Sequence, residues 1–232
     1  MRGHVELADG VHQLTVQTRI NVIVLRDDDG VTLIDTGLDR PGLTTRLARL
    51  GIAPSEVTRV LLTHAHPDHA GGVRRLRRHG STASVSIGAD DLEVGRGVAQ
   101  PPTPEHLGGR LLSRLPQPGP WGRAVAVPDA TALEDGARLP IAGGLEVVAT
   151  PGHTVGHVAF HLPARDVVIG GDVVFNVFSL RPSPAFLCWR TAPNLDSVGR
   201  LAALGAGTLA LAHGRPVTDD VAGRLSQLVT DR

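Results

Sequence analysis

The sequence predicts an α/β fold in which two β-sheets stack face to face, with helices on the outside. Two stretches of the chain, residues 11–87 and 145–211, contain several short apolar runs typical of strands. Each stretch is accompanied by segments with the periodicity of amphipathic helices. Two strand-rich stretches with helices beside them favour two packed sheets covered by helices on their outer faces.

The composition is that of an ordinary globular protein. The chain has 232 residues, of which 41% are hydrophobic and 20% are charged, and this length can bury a sizeable core. We expect one domain over residues 1–232. No apolar run approaches the ~18 residues that a membrane helix needs, and the N-terminus lacks the apolar core of a signal peptide. We therefore expect a cytoplasmic protein that does not contact membranes.

The charged and reactive residues exclude several chemistries. The formal net charge is zero, so there is no electrostatic reason to expect a nucleic-acid partner. All 23 basic residues are arginine, which excludes lysine Schiff bases and Walker-type phosphate loops. Cys188 is the only cysteine, so an internal disulfide and a thiolate-rich zinc site are excluded. Because tyrosine is absent, no phenol can act as an acid or an oxyanion donor.

The first half of the chain alternates strands with helices. We predict strands over residues 11–16, 20–25, 31–34, 58–62 and 85–87, and helices over residues 41–50, from 73 onward and 90–94. The third strand ends at Asp35-Thr36-Gly37. Asp35 either caps this turn or hydrogen-bonds to a metal-ligating histidine, and the sequence leaves both interpretations open.

A dense group of possible metal ligands follows the strand at residues 58–62. Four of them lie within six residues: His64, His66, Asp68 and His69. In a chain leaving a strand, alternate side chains project the same way, so the first two histidines can bind one cation. Pro67 fixes a turn that directs the last two toward a neighbouring position. One loop can therefore supply ligands to two adjacent metals.

Residues 95–123, between the two strand-rich stretches, form an insertion rich in proline and glycine. Within it, Thr103 as a cap and Pro104 in the first turn predict a helix that runs to Leu115. Such an insertion either covers a site or is a surface excursion with no role in binding. The sequence leaves both interpretations open.

The second half repeats the arrangement of strands leading into polar loops. We predict strands over residues 145–149, 158–160, 166–169 and 209–211, and helices over residues 195–204 and 219–229. Loops that follow these strands carry His153, Asp172 and His213. This repetition makes the three residues candidates to join the first histidine-rich loop.

Five segments, taken in order, resemble the motifs of the metallo-β-lactamase superfamily. They are Asp35-Thr36-Gly37, His64-Ala65-His66-Pro67-Asp68-His69, Thr150-Pro151-Gly152-His153-Thr154, Gly171-Asp172 and Ala212-His213-Gly214. The resemblance covers most of the chain; it includes the lactonase and glyoxalase II-like branch and leaves the subfamily open. It implies an αββα four-layer sandwich with a two-metal site between the edges of the sheets.

Position by position, the resemblance implies seven metal ligands. His64, His66 and His153 would hold the first metal, Asp68, His69 and His213 the second, and Asp172 would bridge them. All are nitrogen or oxygen donors, so we expect two divalent ions, zinc first, with iron and manganese as alternatives. A hydroxide activated by the metals would attack a carbonyl group, with Asp68 or a metal-bound water as the catalytic proton carrier. His157 and His161 match no ligand position.

Aromatic residues after Asp172 are candidates for substrate contact, namely Phe175, Phe178 and Trp189. An apolar wall beside the metals would suit an acyl chain or another hydrophobic group. The same side chains could instead complete the core or a dimer contact, so a homodimer stays open. We expect a small-molecule substrate that is an ester, thioester or lactone with an apolar portion.

Other functions of the superfamily remain as alternatives. One is an oxidoreductase of the persulfide dioxygenase kind, with a single iron held by His64, His153 and Asp172. Hydrolysis of β-lactams and metal-stabilised binding without turnover are two more. Phe175 stands where lactonases of the family often have tyrosine, and residues 175–181 match the glutathione-binding pattern poorly.

Overall fold

The computed structural model describes residues 3–28, 30–114 and 124–230. The strands of this part of the chain are β1 (His4–Ala8), β2 (Val11–Gln17), β3 (Ile20–Asp27), β4 (Gly30–Ile34), β5 (Val57–Leu62), β6 (Ser84–Gly88), β7 (Thr131–Leu133), β8 (Arg138–Leu139), β9 (Leu145–Ala149), β10 (Val158–Leu162), β11 (Val167–Ile169), β12 (Val174–Asn176), β13 (Leu180–Pro182) and β14 (Thr208–Ala210). Its α-helices are α1 (Gly42–Arg49), α2 (Pro67–Ala70), α3 (Gly72–Arg78), α4 (Leu92–Gly95), α5 (Leu107–Arg114), α6 (Thr191–Ala203) and α7 (Val221–Thr230).

The strands form two main sheets and one small one. The first sheet holds β1 to β7 in chain order, antiparallel from β1 to β4 and parallel from β4 to β7. The second has the order β14-β11-β10-β9-β8, with β14 parallel to β11 and the other pairs antiparallel. Strands β12 and β13 pair with each other. As a result β9, β11 and β14 run in the same direction, and the loops that follow them leave at one edge.

Three apolar cores separate four layers. In β3, Val24 belongs to the same apolar cluster as Leu43 of α1, whereas its neighbour Ile23 belongs to the cluster that contains Phe160 of the second sheet. Successive strand residues point to opposite faces, so a strand buried on both sides needs a continuous apolar run. The outer face of the second sheet packs on α6 and α7, as in the contact cluster that contains Val148. The αββα sandwich expected from the sequence is therefore confirmed.

Three helices differ from the sequence-based prediction. Helix α6 begins at Thr191, four residues before the predicted start at residue 195. A short helix, α2, forms inside the histidine-rich loop, with Pro67 in its first turn. Helix α5 begins at Leu107, later than Thr103, because the Glu105 N–H donates to the carbonyl of Trp189 instead of entering a helix. Leu115, where the predicted helix ends, lies outside the described residues, as do residues 116–123 of the insertion.

The short outer strands were not predicted. Strands β1, β7, β8, β12 and β13 have five residues or fewer, and most of their residues are partly or fully exposed, so they lack a long apolar pattern. Within the described residues, no helix is both long and apolar enough to cross a membrane.

Candidate metal centre

Three histidines from two loops face one another and form a first group. His64 and His66 follow β5, and His153 follows β9. The His64 Nε2 and His66 Nδ1 atoms are 2.9 Å apart, and His153 Nε2 lies 3.0 Å from the same His66 nitrogen. Three ring nitrogens that converge in this way can direct their lone pairs at one cation.

A second group lies beside the first and consists of Asp68, His69 and His213. The His213 Nε2 atom is 3.3 Å from Asp68 Oδ2, and His69 Nε2 is 3.7 Å from the same oxygen. Asp172 lies between the groups. Its Oδ2 is 3.4 Å from His153 Nε2, and its Oδ1 is 3.4 Å from His213 Nε2 and 3.5 Å from His69 Nε2. The structure therefore brings all seven predicted side chains together.

The local backbone explains how one loop serves both groups. His66 is extended, with φ −65° and ψ 152°, and Pro67 then begins α2. In the extended part, alternate side chains project the same way, which brings His64 and His66 together. In the helical turn the chain direction changes, so Asp68 and His69 point to the neighbouring group.

Asp35 orients one histidine of each group. Its Oδ2 accepts a hydrogen bond from the Nδ1–H of His69 at 2.7 Å. The hydroxyl of Thr63 donates to the same carboxylate at 2.9 Å and can then accept the Nδ1–H of His64 at 3.0 Å. Both bonds place the proton on Nδ1 and leave Nε2 free to bind a cation. The sequence left open whether Asp35 caps a turn or hydrogen-bonds to a metal-ligating histidine. The geometry favours the hydrogen bond to the histidine.

The two histidines that follow strands of the second sheet, His153 and His213, are oriented in a similar way. The Nδ1 atom of His153 lies 3.1 Å from the hydroxyl of Ser183. The Nδ1–H of His213 donates to the carbonyl oxygen of Arg19 at 3.1 Å. Sequence reasoning missed Ser183 and Arg19, because neither belongs to a motif and both reach the centre only through the packing of distant segments.

His157, which matched no ligand position, holds the backbone at Asp172. Its Nε2 accepts the Asp172 N–H at 3.0 Å, so its proton is on Nδ1 and is donated to Thr150 Oγ1 at 2.8 Å. Gly171 has φ +55°, and a Cβ there would lie 2.5 Å from the same His157 nitrogen. Glycine is therefore required before Asp172 by both conformation and space. Burial lowers the pKa of His157 to about 4, so this side chain is neutral at pH 7.

Asp91 anchors the loop that carries His153. This buried carboxylate accepts the hydroxyl of Thr154 and the N–H of Gly156, the latter at 2.8 Å. Burial raises its pKa above the ordinary aspartate value. From the sequence, Asp91 was predicted only to lie in a helix over residues 90–94. A lone aspartate at a helix start carries no signal that it contacts a loop more than 60 residues away.

Burial and neighbouring charges shift the pKa values of the histidines and of Asp172 in the centre. Burial and the neighbouring imidazoles of His69 and His66 hold the pKa of His64 well below its usual value. Burial also acts on His69 and His213, but nearby carboxylates, Asp172 foremost, outweigh it. They raise the pKa of His69 well above its usual value and that of His213 to about 10. Although burial opposes it, His213 and His69 pull the pKa of Asp172 well below its usual value.

These residues fit a pair of divalent cations. Among the described residues, the buried atoms His69 Nε2 and Asp172 Oδ1 have no hydrogen-bond partner, an arrangement that is costly unless a ligand occupies it. The donors are imidazole nitrogens and carboxylate oxygens, which suit zinc, iron or manganese. A cation would replace the protons that the raised pKa values place on the second group, so metal affinity is expected to fall as the pH falls.

The three predicted substrate-contact residues have different environments. Phe175 is only 6% exposed, and its ring centre lies 4.9 Å from that of His213, so it packs against a residue of the second group. Phe178 is 79% exposed. Trp189 is partly exposed, and its backbone N–H donates to the carbonyl of His153 at 2.9 Å. Phe178 and Trp189 therefore offer surface to a ligand, whereas most of Phe175 is enclosed.

Comparison with known proteins identifies the family. A family model described as the metallo-beta-lactamase superfamily matches residues 16–213. The probable metallo-hydrolase YflN of Bacillus subtilis is 27% identical over 250 residues, which covers 96% of this chain and 94% of YflN. The acyl-coenzyme A thioesterase MBLAC2 of Bos taurus is 27% identical over 195 residues, which covers 75% of this chain and 66% of MBLAC2.

A solved structure agrees with these sequence matches. The metallo-beta-lactamase family protein TTHA1429 from Thermus thermophilus superimposes with a TM-score of 0.73 at 29% identity. The match covers 97% of this chain and 80% of the other. The matched residues 16–213 include every residue of the two groups and Asp172. This chain belongs to the metallo-beta-lactamase superfamily.

Proposed function

We propose that this protein is a dinuclear metal-dependent hydrolase that cleaves a thioester, an ester or a lactone with an apolar portion. The observation that carries the proposal is the position of Asp172. One of its oxygens faces His153 of the first group, and the other faces His69 and His213 of the second. A carboxylate whose two oxygens face two neighbouring ligand groups is suited to a two-metal site.

In this proposal the seven side chains hold two divalent ions, zinc first. His64, His66 and His153 would hold one ion, Asp68, His69 and His213 would hold the other, and Asp172 lies where it could serve either. When bound, the ions supply a Lewis acid and an activated water at neutral pH. Asp35 and Thr63 keep the imidazoles of His64 and His69 in the tautomer that can bind a metal.

The side chains at the surface of the centre would position the substrate and move a proton. Asp68 lies in the second group with Oδ2 beside His213, from where it could carry a proton to the departing thiol or alcohol. Phe178 and Trp189 provide apolar surface for the acyl portion. The similarity to an acyl-coenzyme A thioesterase supports thioesters as the first of the three substrate classes to test.

Other features of the proposal rest on the sequence. We propose a cytoplasmic protein with a small-molecule substrate and without nucleic-acid or membrane partners. A homodimer stays a prediction.

Element-resolved metal analysis of the purified protein, followed by a substrate panel, tests the proposal. We expect about two equivalents of a zinc-like metal for each chain, and cleavage of at least one thioester, ester or lactone by the metal-loaded protein. One equivalent of iron together with oxygen consumption would instead support a dioxygenase. If metal-loaded protein cleaves nothing in a panel that also includes β-lactams, a binding role replaces the hydrolase.

A further inference from the structure

We propose that Arg19 binds an anionic group of the substrate, a carboxylate or a phosphate, beside the second ligand group. The inference rests on the proposed function and narrows its substrate class from an apolar compound to one that also carries a negative charge. It concerns a side chain that belongs neither to the seven ligands nor to the apolar residues predicted to contact substrate.

The position of Arg19 is fixed by the centre itself. Arg19 lies in the turn between β2 and β3, and its carbonyl oxygen accepts the Nδ1–H of His213 at 3.1 Å. The next residue, Ile20, forms an isolated bridge with His213. Arg19 also has φ +64°, a conformation that few residues other than glycine adopt. The positive φ is required by the tight two-residue turn, since Gln17 and Ile20 on either side pair with each other. The turn and the hydrogen bond to His213 together fix the position of the Arg19 backbone beside the second group.

The side chain of Arg19 is oriented but not neutralised. Its guanidinium carbon lies 4.4 Å from the ring centre of Phe178, a ring that is 79% exposed. Stacking on the ring face restrains the guanidinium plane and leaves its N–H groups free at the edge. Among the residues that the structure describes, no carboxylate forms an ion pair with Arg19. A planar, exposed and unpaired guanidinium is suited to bidentate binding of a carboxylate or phosphate.

The surroundings of Arg19 favour an anion. The chain from Val173 to Arg190, which supplies Phe178, contains no aspartate or glutamate. Arg181 of β13 is paired directly with Phe175 of β12, so the two side chains share a face, and Phe175 contacts the ring of His213. Arg19 and Arg181 therefore bring positive charge to this part of the centre, where the carboxylates that contact His213 are the two predicted ligands Asp68 and Asp172. Such positive charge attracts anionic substrates and orients them.

A pair of matched probes that cannot be cleaved at sulfur tests the inference by binding. S-hexyl-N-acetylcysteine carries a carboxylate, and its primary amide has the same shape without the charge. In titration calorimetry on zinc-loaded wild-type protein, we expect the acid to bind about tenfold more tightly than the amide at low salt. This preference should shrink as the ionic strength rises. Hexyl phosphate, used as a third probe, distinguishes a phosphate preference from a carboxylate preference.

Variants of Arg19 and a charge-matched control complete the test. Arg19→Gln should reduce the acid-to-amide ratio to below about threefold, and Arg19→Lys should keep an intermediate ratio because it retains charge without the planar fork. Arg74→Gln removes the same charge from the exposed face of α3 and should leave the ratio as in the wild type. If Arg19→Gln keeps the wild-type ratio, or if Arg74→Gln lowers it equally, the inference is wrong. Because the readout is binding, an absence of turnover would count against the proposed function alone.

Discussion

At the scale of single residues, the centre depends on hydrogen bonds that each select one protonation state. Asp35 and Thr63 place the protons of His64 and His69 on Nδ1, and the Asp172 N–H requires an unprotonated Nε2 on His157. In a buried site each such bond also prevents an unsatisfied polar atom. Single substitutions should therefore change metal binding without changing the fold.

Asp172→Ala should remove metal and activity together. The substitution deletes both oxygens that lie between the two groups, so His153, His69 and His213 lose their shared carboxylate. We expect bound metal to fall to one equivalent or less and turnover to fall by at least about 100-fold. Elemental analysis and a kinetic assay measure the two effects. Asp219→Ala, which removes an exposed carboxylate before α7, is the control. Full metal content with full turnover in Asp172→Ala would show that the ligand assignment is wrong.

His157→Gln should reduce the sensitivity of the metal-free protein to acid. The folded-state pKa of His157 is lowered to about 4 by burial, below the ordinary histidine value of about 6.5. Above pH 6.5 both states are neutral, and between pH 6.5 and about 4 only the unfolded chain gains a proton. His157 therefore costs the wild type about 3 kcal/mol of unfolding free energy over this range.

Glutamine retains a group that can accept the Asp172 N–H but does not titrate. We therefore expect His157→Gln to lose about 3 kcal/mol less than the wild type between pH 7 and pH 4, measured by urea unfolding in the presence of a chelator. Equal losses in the two proteins would show that His157 is not held neutral in the folded state.

At the scale of elements, the centre is built from loops at the ends of strands. The loops after β5, β9, β11 and β14 carry all seven side chains, and hydrogen bonds between backbones join them. The Val158 N–H donates to the Thr63 carbonyl, and the Asn21 N–H donates to the carbonyl of Ala212. Gly152, with φ +135°, lies so close to α6 that a Cβ would be 2.2 Å from the Asn194 nitrogen. The loops are thus held by the sheets and helices around them, which gives the side chains fixed positions.

Asp91→Ala should loosen the loop that carries His153. The substitution leaves the Thr154 hydroxyl and the Gly156 N–H without their acceptor, which should destabilise the protein by about 1–3 kcal/mol. The first group should also release its metal more readily than the second. Thermal unfolding and competition with a chelator measure these effects. The exposed neighbour Asp90, changed to alanine, is the matched control. Wild-type stability and metal retention in Asp91→Ala would contradict this role.

At the scale of the whole molecule, contact between the two sheets sets the distance between the two halves of the centre. His64, His66, Asp68 and His69 follow a strand of the first sheet, whereas the other three residues follow strands of the second. The core between the sheets includes Phe160, which is fully buried. Packing in such a core is dense, so a change there affects how closely the sheets approach.

Phe160→Ala should destabilise the whole fold. Removing a fully buried phenylalanine side chain from a core typically costs about 3–5 kcal/mol, including the cavity that remains. We expect a loss of this size in urea unfolding, with metal affinity reduced as well. Val98→Ala truncates a side chain that is 73% exposed and should change the unfolding free energy by less than about 0.5 kcal/mol. A small effect of Phe160→Ala would mean that the sheets do not depend on this contact.

The sequence by itself determined the long strands, most helices and the identity of the seven clustered side chains. Strand and helix periodicity is local, so it can be recognised without knowing what an element packs against, as for β3 and α1. The ordered motifs identified His153, Asp172 and His213 before any distance was known.

Only the tertiary structure decided which other residues serve the centre. Asp91, Ser183 and Arg19 reach it from segments that lie far from its motifs in the chain. The exposure of Phe178 and the enclosure of Phe175 also depend on neighbours from other elements. The physical reason is that a hydrogen bond or a stacked ring depends on distances between atoms. Those distances are set when the two sheets pack together, and no local pattern in the chain records them.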